Sequence, residues 1–236
     1  MRTRTLVFIL PSVLVVLLIS SCATTSKMLI QSAENGDYAE VKRLIEEGED
    51  VNAVSFWRGY TALMSASEKG HVEVATLLID KGADVNAQNG DGLTALMIAS
   101  RYGQTEIAKL LIEEGANVNA QGSREFNGWT ALMYASQYGQ TEVAKLLIEE
   151  GADVNAMSIT TMYGCALGRD CISFGGYTAL MAASEMGYID IVKLLIKEGA
   201  DVNVQDDDGI TALRRAYKFG HTEIIELLMA AGAEYY

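Results

Sequence analysis

Residues 92–120 read GLTALMIASRYGQTEIAKLLIEEGANVNA, and this stretch decides the fold. After Thr94, Ala95, Leu96 and Ala99 place small and apolar residues on one face at helical spacing, and Gly103 stops the run. Ile107, Ala108, Leu110, Leu111 and Ile112 form the apolar face of a second helix. Gly115 ends it, because glycine takes the left-handed conformation at a helix terminus without steric cost. The Asn-containing loop beyond Gly115 crosses to further chain. Two such short helices cannot bury their apolar faces alone, so the unit requires neighbours.

The sequence supplies them. Thr-Ala-Leu recurs at Thr61, Thr94, Thr130, Thr178 and Thr211, each followed nine residues later by a glycine: Gly70, Gly103, Gly139, Gly187 and Gly220. Segments opening at Gly82, Gly115, Gly151 and Gly199 repeat Gly-Ala-(Asp/Asn)-Val-Asn, with a weaker copy at Gly48. The threonines are spaced by 33, 36, 48 and 33 residues, a period of 33 with insertions of three and fifteen. A period of this size implies a solenoid.

The combined pattern, Gly-x-Thr-Ala-Leu-Met-x-Ala, then Gly-(His/Gln)-x-Glu-(Val/Ile)-Ala-Lys-Leu-Leu-Ile, then Gly-Ala-Asp-Val-Asn-Ala, resembles the ankyrin repeat over nearly the whole chain after residue 27. The resemblance implies an all-α solenoid of about six helix-turn-helix units joined by β-turn loops. On that reading the domain covers 27–236, with an N-terminal cap at 27–52, repeats starting near 59, 92, 128, 176 and 209, and the longer insertion at 157–176. One departure is consistent. The family's Thr-Pro-Leu-His carries alanine here at Ala62, Ala95, Ala131, Ala179 and Ala212, and Met64, Met97, Met133, Met181 or Arg214 in place of histidine. Methionine packing is therefore expected where the family's histidine bonds between units. At the far end Arg214 and Arg215 replace the apolar residues of earlier units, as a polar terminal face requires.

Ankyrin-like scaffolds recognise partners with the loop before the threonine and the end of the first helix. Carried onto this chain, those positions are Trp57, Arg58, Tyr60 and Lys69; Leu93, Arg101 and Tyr102; Phe126, Trp129, Tyr134 and Tyr138; Phe174, Tyr177 and Met186; and Ile210, Lys218 and Phe219. Ten aromatics fall in this set, out of seventeen beyond residue 22, and large rigid rings dominate binding hot spots. Tyr60, Trp129 and Tyr177, each just before its threonine, could equally pack against an adjacent loop. Tyr102, Tyr138 and Phe219, at helix ends, are the better candidates for an open surface.

The first residues form an address. Arg2 and Arg4 precede an apolar stretch from Leu6 to Ile19, too short to span a bilayer as a helix, and Ile19-Ser20-Ser21-Cys22 follows. This resembles a bacterial lipoprotein signal, which implies cleavage after residue 21, a lipid on Cys22, a short tether over 22–26, and a location at the periplasmic face of the outer membrane. An ordinary secretory signal is the alternative. Cys165 and Cys171 then remain as an even pair inside the insertion, where export favours a disulfide over two free thiols. Such a bridge would hold the insertion as a compact finger.

Chemistry is otherwise sparse. With 236 residues, half of them apolar, and a single proline, the chain is neither an acidic disordered tail nor a proline-rich fibre. A charge of −13 disfavours nucleic acid as a partner. No nucleophile elbow, phosphate loop or zinc helix occurs, so no catalytic residue, metal ligand or cofactor is assigned. Asp206-Asp207-Asp208-Gly209 lacks the ligand spacing of a calcium loop and reads as a solvated turn. The expectation is a monomeric, lipid-anchored module that binds a protein in the bacterial envelope. A periplasmic protector or inhibitor of an enzyme, and more remotely an enzyme using the insertion, are the alternatives.

Overall fold

The computed structural model describes residues 26–123, 128–159, 161–163 and 172–234. Helices α1 (26–35) and α2 (Tyr38–Glu46) form the first pair. Five more follow: α3 (Ala62–Lys69) with α4 (Val72–Asp80), α5 (Ala95–Tyr102) with α6 (Thr105–Glu113), α7 (Ala131–Gln137) with α8 (Thr141–Glu149), α9 (Ala179–Met186) with α10 (Ile189–Lys197), and α11 (Ala212–Phe219) with α12 (Thr222–Ala230). From α3 to α11 each first helix packs on the next, and from α2 to α12 each second helix does the same, which makes two parallel layers.

Each repeated residue has a visible job. Thr61, Thr94, Thr130, Thr178 and Thr211 cap the first helices, their hydroxyls accepting from the backbone N–H three residues on at 3.2–3.3 Å. Met64, Met97, Met133 and Met181 are buried in one continuous core that runs from Leu29 to Leu228. Methionine thus fills the position of the family's histidine as expected.

Hydrogen bonds between units run through other residues. Asn52, Asn86, Asn119, Asn155 and Asn203 each donate from Nδ2 to a glycine carbonyl of the next unit at 3.0–3.2 Å. Their Oδ1 atoms accept from the backbone of Asp84, Asn117, Asp153, Asp201 and Glu234 at 2.7–2.8 Å. A second ladder links His71 to the Glu34 carbonyl, Gln104 to that of Glu68, Gln140 to that of Arg101 and His221 to that of Glu185. At Gly92, φ is +76° and a Cβ would sit 2.1 Å from the Ser123 nitrogen, so the close approach of neighbouring loops requires glycine.

The insertion carries a short antiparallel ribbon, β1 (Thr161–Tyr163) with β2 (Ile172–Phe174), in the register Thr161↔Phe174 and Tyr163↔Ile172. Its base is closed: Ser158 N–H donates to the Tyr177 carbonyl at 2.8 Å, and Tyr177 N–H to Ser158 Oγ at 2.9 Å. The helical stack passes beneath it without interruption, since α7 packs on α9. Cys22, Phe126, Cys165 and Cys171 lie outside the described residues. Among the described residues no helix is long and apolar enough to cross a membrane.

Candidate functional site

Two rows of side chains run along the layer of first helices. The residue before each threonine gives the lower row: Tyr60, Leu93, Trp129, Tyr177 and Ile210. Leu93 is buried and is therefore not a contact residue, contrary to the sequence expectation. Tyr60, Trp129 and Tyr177 are half-buried against the core, together with Tyr134 from the second turn of α7. Trp129 stacks on Tyr177 at 5.4 Å with ring planes 5° apart, and Tyr134 meets Trp129 at 5.2 Å. Of the two uses weighed for these rings, packing between units describes what they do in the free chain. Burial raises the hydroxyl pKa of Tyr60 and pushes that of Tyr134 to about 12. At Tyr177 burial and then the Glu185 carboxylate raise it further.

The floor ends in a charged cluster that the sequence reading missed. Arg215 lies over the Tyr177 ring at 4.5 Å. Its guanidinium donates to Glu185 at 2.5 Å and to Asp206. Arg214 is exposed, as a terminal face predicts, whereas Arg215 turns inward to this cluster. Asp207 and Asp208 are exposed, but the Asp206 side chain is only 6% exposed. Its Oδ1 accepts from Asp208 and Ile210 N–H while the other oxygen meets Arg215, so the turn is solvated only at its tip. Asn89 makes the same two backbone contacts in the second full unit. Carboxylate in place of amide is what gives Arg215 a second partner beside Glu185. Tyr177 Oη donates to Glu185 Oε2 at 3.1 Å. A cavity of about 540 Å³ opens over these groups, lined also by Trp129, Tyr138 and Lys218.

The upper row comes from the ends of first helices: Lys69, Tyr102, Tyr138, Met186 and Phe219, all exposed. Arg101 bridges two units, its guanidinium 5.6 Å from the Tyr102 ring and 4.9 Å from that of Tyr138. Lys218 lies 5.2 Å from the Phe219 ring. Cations held over rings present a surface that is apolar yet positively edged. Trp57 and Arg58 stand apart on the first loop, where Trp57 meets Phe56 edge-on at 5.4 Å. Phe56 did not emerge from the sequence reading. Phe174 contributes its backbone to β2. Among the described residues no cluster of His, Cys, Asp and Glu could hold a metal ion.

A two-layer helical stack with a ring-lined face defines a repeat scaffold built for binding. Ankyrin repeats match the chain in three copies, at residues 11–89, 87–158 and 160–236, and the chain belongs to that family. An ankyrin array is a protein–protein interaction module. The chain is 37% identical over 68 residues to ankyrin repeat and MYND domain-containing protein 1 of Mus musculus, which is 29% of this chain and 8% of that protein. It is 36% identical over 64 residues to the 2-5A-dependent ribonuclease of Mus musculus, 27% of this chain and 9% of the relative. With the E3 ubiquitin-protein ligase XBAT33 of Arabidopsis thaliana it shares 35% over 69 residues, 29% and 14% respectively. The chain thus spans a small part of these relatives.

Proposed function

We propose that this chain is an exported ankyrin array, lipid-anchored through Cys22 at the periplasmic face of a bacterial outer membrane, that binds a protein partner as a monomer across its ring-lined face. The observation that carries the binding surface is the row Tyr102, Tyr138, Met186 and Phe219. These are exposed apolar side chains at one equivalent position in four consecutive units, with Arg101 and Lys218 poised over rings. Hot spots are made of such residues, and here the helices that carry them are already fixed by their caps and ladders. The anchor reading is supported by the order of charged, apolar and small-plus-cysteine segments in residues 2–22.

The floor of half-buried rings sets the shape of the face, and Ser158 and Gly175 at the base of the insertion line its cavity. Cys165 lies two residues beyond Tyr163 and Cys171 one before Ile172, and those two strand residues are Cα partners. A bridge between the cysteines would close the ribbon into the finger. In native, unreduced protein neither thiol then reacts with an alkylating reagent, and labelling of both would defeat the bridge. For the face, the Tyr102→Ala, Tyr138→Ala protein loses crosslinked capture of its envelope partner while its thermal midpoint stays close to that of the parent. Undiminished capture would sink the binding-surface assignment.

A further inference from the structure

Among the described residues, the most exposed large apolar side chains are not on the ring-lined face. Phe56 is 90% and Trp57 91% exposed, side by side at the tip of the first loop, with Val54 also exposed. The tip is an ordered turn. Ser55 N–H donates to the Tyr60 carbonyl at 2.8 Å, Gly59 N–H to the Ser55 carbonyl at 2.9 Å, and Gly90 N–H of the next loop to the Arg58 carbonyl at 3.0 Å. The two rings are therefore held out into solvent by a closed turn tied to its neighbour. Asn89 of the second loop and Asp206 of the last make the bonds that Ser55 makes here, and the residues that follow them, Gly90 and Asp207, carry no ring; the first loop is one residue longer and places Phe56 and Trp57 there. Among the described loops, the first alone carries an aromatic tip, and the farthest carries three aspartates.

We propose that the Phe56–Trp57 tip is a second membrane contact, seated in the headgroup boundary of the bilayer that holds the lipid on Cys22. The inference rests on the anchor reading given above, and its location comes from the repeat geometry. The His71–Glu34 bond is the counterpart of the Gln104–Glu68 bond, so Glu34 is equivalent to Glu68 and Lys27 to Thr61. Lys27 thus stands where the first loop enters α3, one unit away. Neighbouring helix axes lie about 8–10 Å apart. The five residue steps from Cys22 to Lys27 span at most about 18 Å. A lipid at Cys22 therefore holds the first loop within reach of the membrane surface. Tryptophan favours the water–bilayer boundary, where phenylalanine finds acyl chain and Arg58 finds phosphate. The aspartates at the opposite end are kept from the headgroups by the same geometry, so the array stands off the membrane with its ring-lined face to the side.

The test tethers the protein chemically, so that natural lipidation is not needed. Residues 22–236 carrying Cys165→Ser and Cys171→Ser are coupled through Cys22 to a maleimide lipid in phosphatidylcholine vesicles. Trp129→Phe leaves Trp57 as the sole tryptophan. On tethering, Trp57 emission shifts to the blue, loses its quenching by iodide and becomes quenched by lipid brominated along the acyl chain. Phe56→Ser reverses part of the shift. The difference between the parent and Trp57→Phe proteins gives the same signal if Trp129→Phe disturbs folding. Trp57 equally open to iodide in tethered and free protein would overturn the proposal, as would shielding that appears only when a protein partner is added. Whether Cys22 is acylated in the cell is read separately from the mass of the mature chain, so failure of the anchor and failure of the contact give different results.

Discussion

Arg215 shows how much a single residue's role depends on its neighbours. Its position at the last unit marks it as terminal polarity, yet it neutralises Glu185 and Asp206 and covers Tyr177. Those partners lie 30, 9 and 38 residues away in sequence, and no local pattern announces them. Tyr177 and Tyr134 beneath the same surface have raised pKa values, mainly through burial. The folded state therefore holds these protons more tightly than the unfolded chain, whose tyrosines ionise near pH 10. The stabilisation is complete below about pH 10 and is lost as pH rises toward 12. Absorbance titration at 295 nm should show a late-ionising fraction that Tyr134→Phe and Tyr177→Phe together reduce, leaving the contribution of Tyr60. A titration unchanged by that pair would contradict the buried floor.

The helix pairs were legible because their signals are local: a threonine cap, an apolar face at helical spacing and a glycine stop all fall within one unit. The asparagine ladder was visible as the strongest internal match, Gly-Ala-Asp-Val-Asn, but its purpose was not, since each asparagine bonds to residues between 29 and 46 positions on. Asn119→Ala removes a 3.0 Å bond to the Gly151 carbonyl and a 2.8 Å bond from Asp153. Net hydrogen-bond contributions of about 0.5–1.5 kcal/mol, reduced by solvent access, give an expected loss of about 1–2 kcal/mol. Urea unfolding should show this as a lower midpoint at an unchanged slope. No change in midpoint would mean that water replaces the ladder at no cost. The ribbon of the insertion was not foreseen either, because its strands are three residues long and carry too little alternation to read.

For the whole molecule, the period of 33 residues was enough to give a solenoid, and the family's recognising positions led to a face that the structure sorts into two rows. That sorting needed three dimensions. Leu93 and Tyr102 both belong to the carried-over set, and only packing reveals that the first is buried while the second is open. The acidic balance is spread along the array, whereas Arg101 and Lys218 are drawn to the upper row. Site-specific photocrosslinking in the native envelope tests this face most directly. A photoreactive side chain at position 102 or 138 is compared with one at Lys109 or Lys145, exposed on the second-helix layer. One shared adduct is expected from positions 102 and 138 and none from the other two. Equal adducts from both layers, or adducts from Lys109 and Lys145 alone, would contradict it.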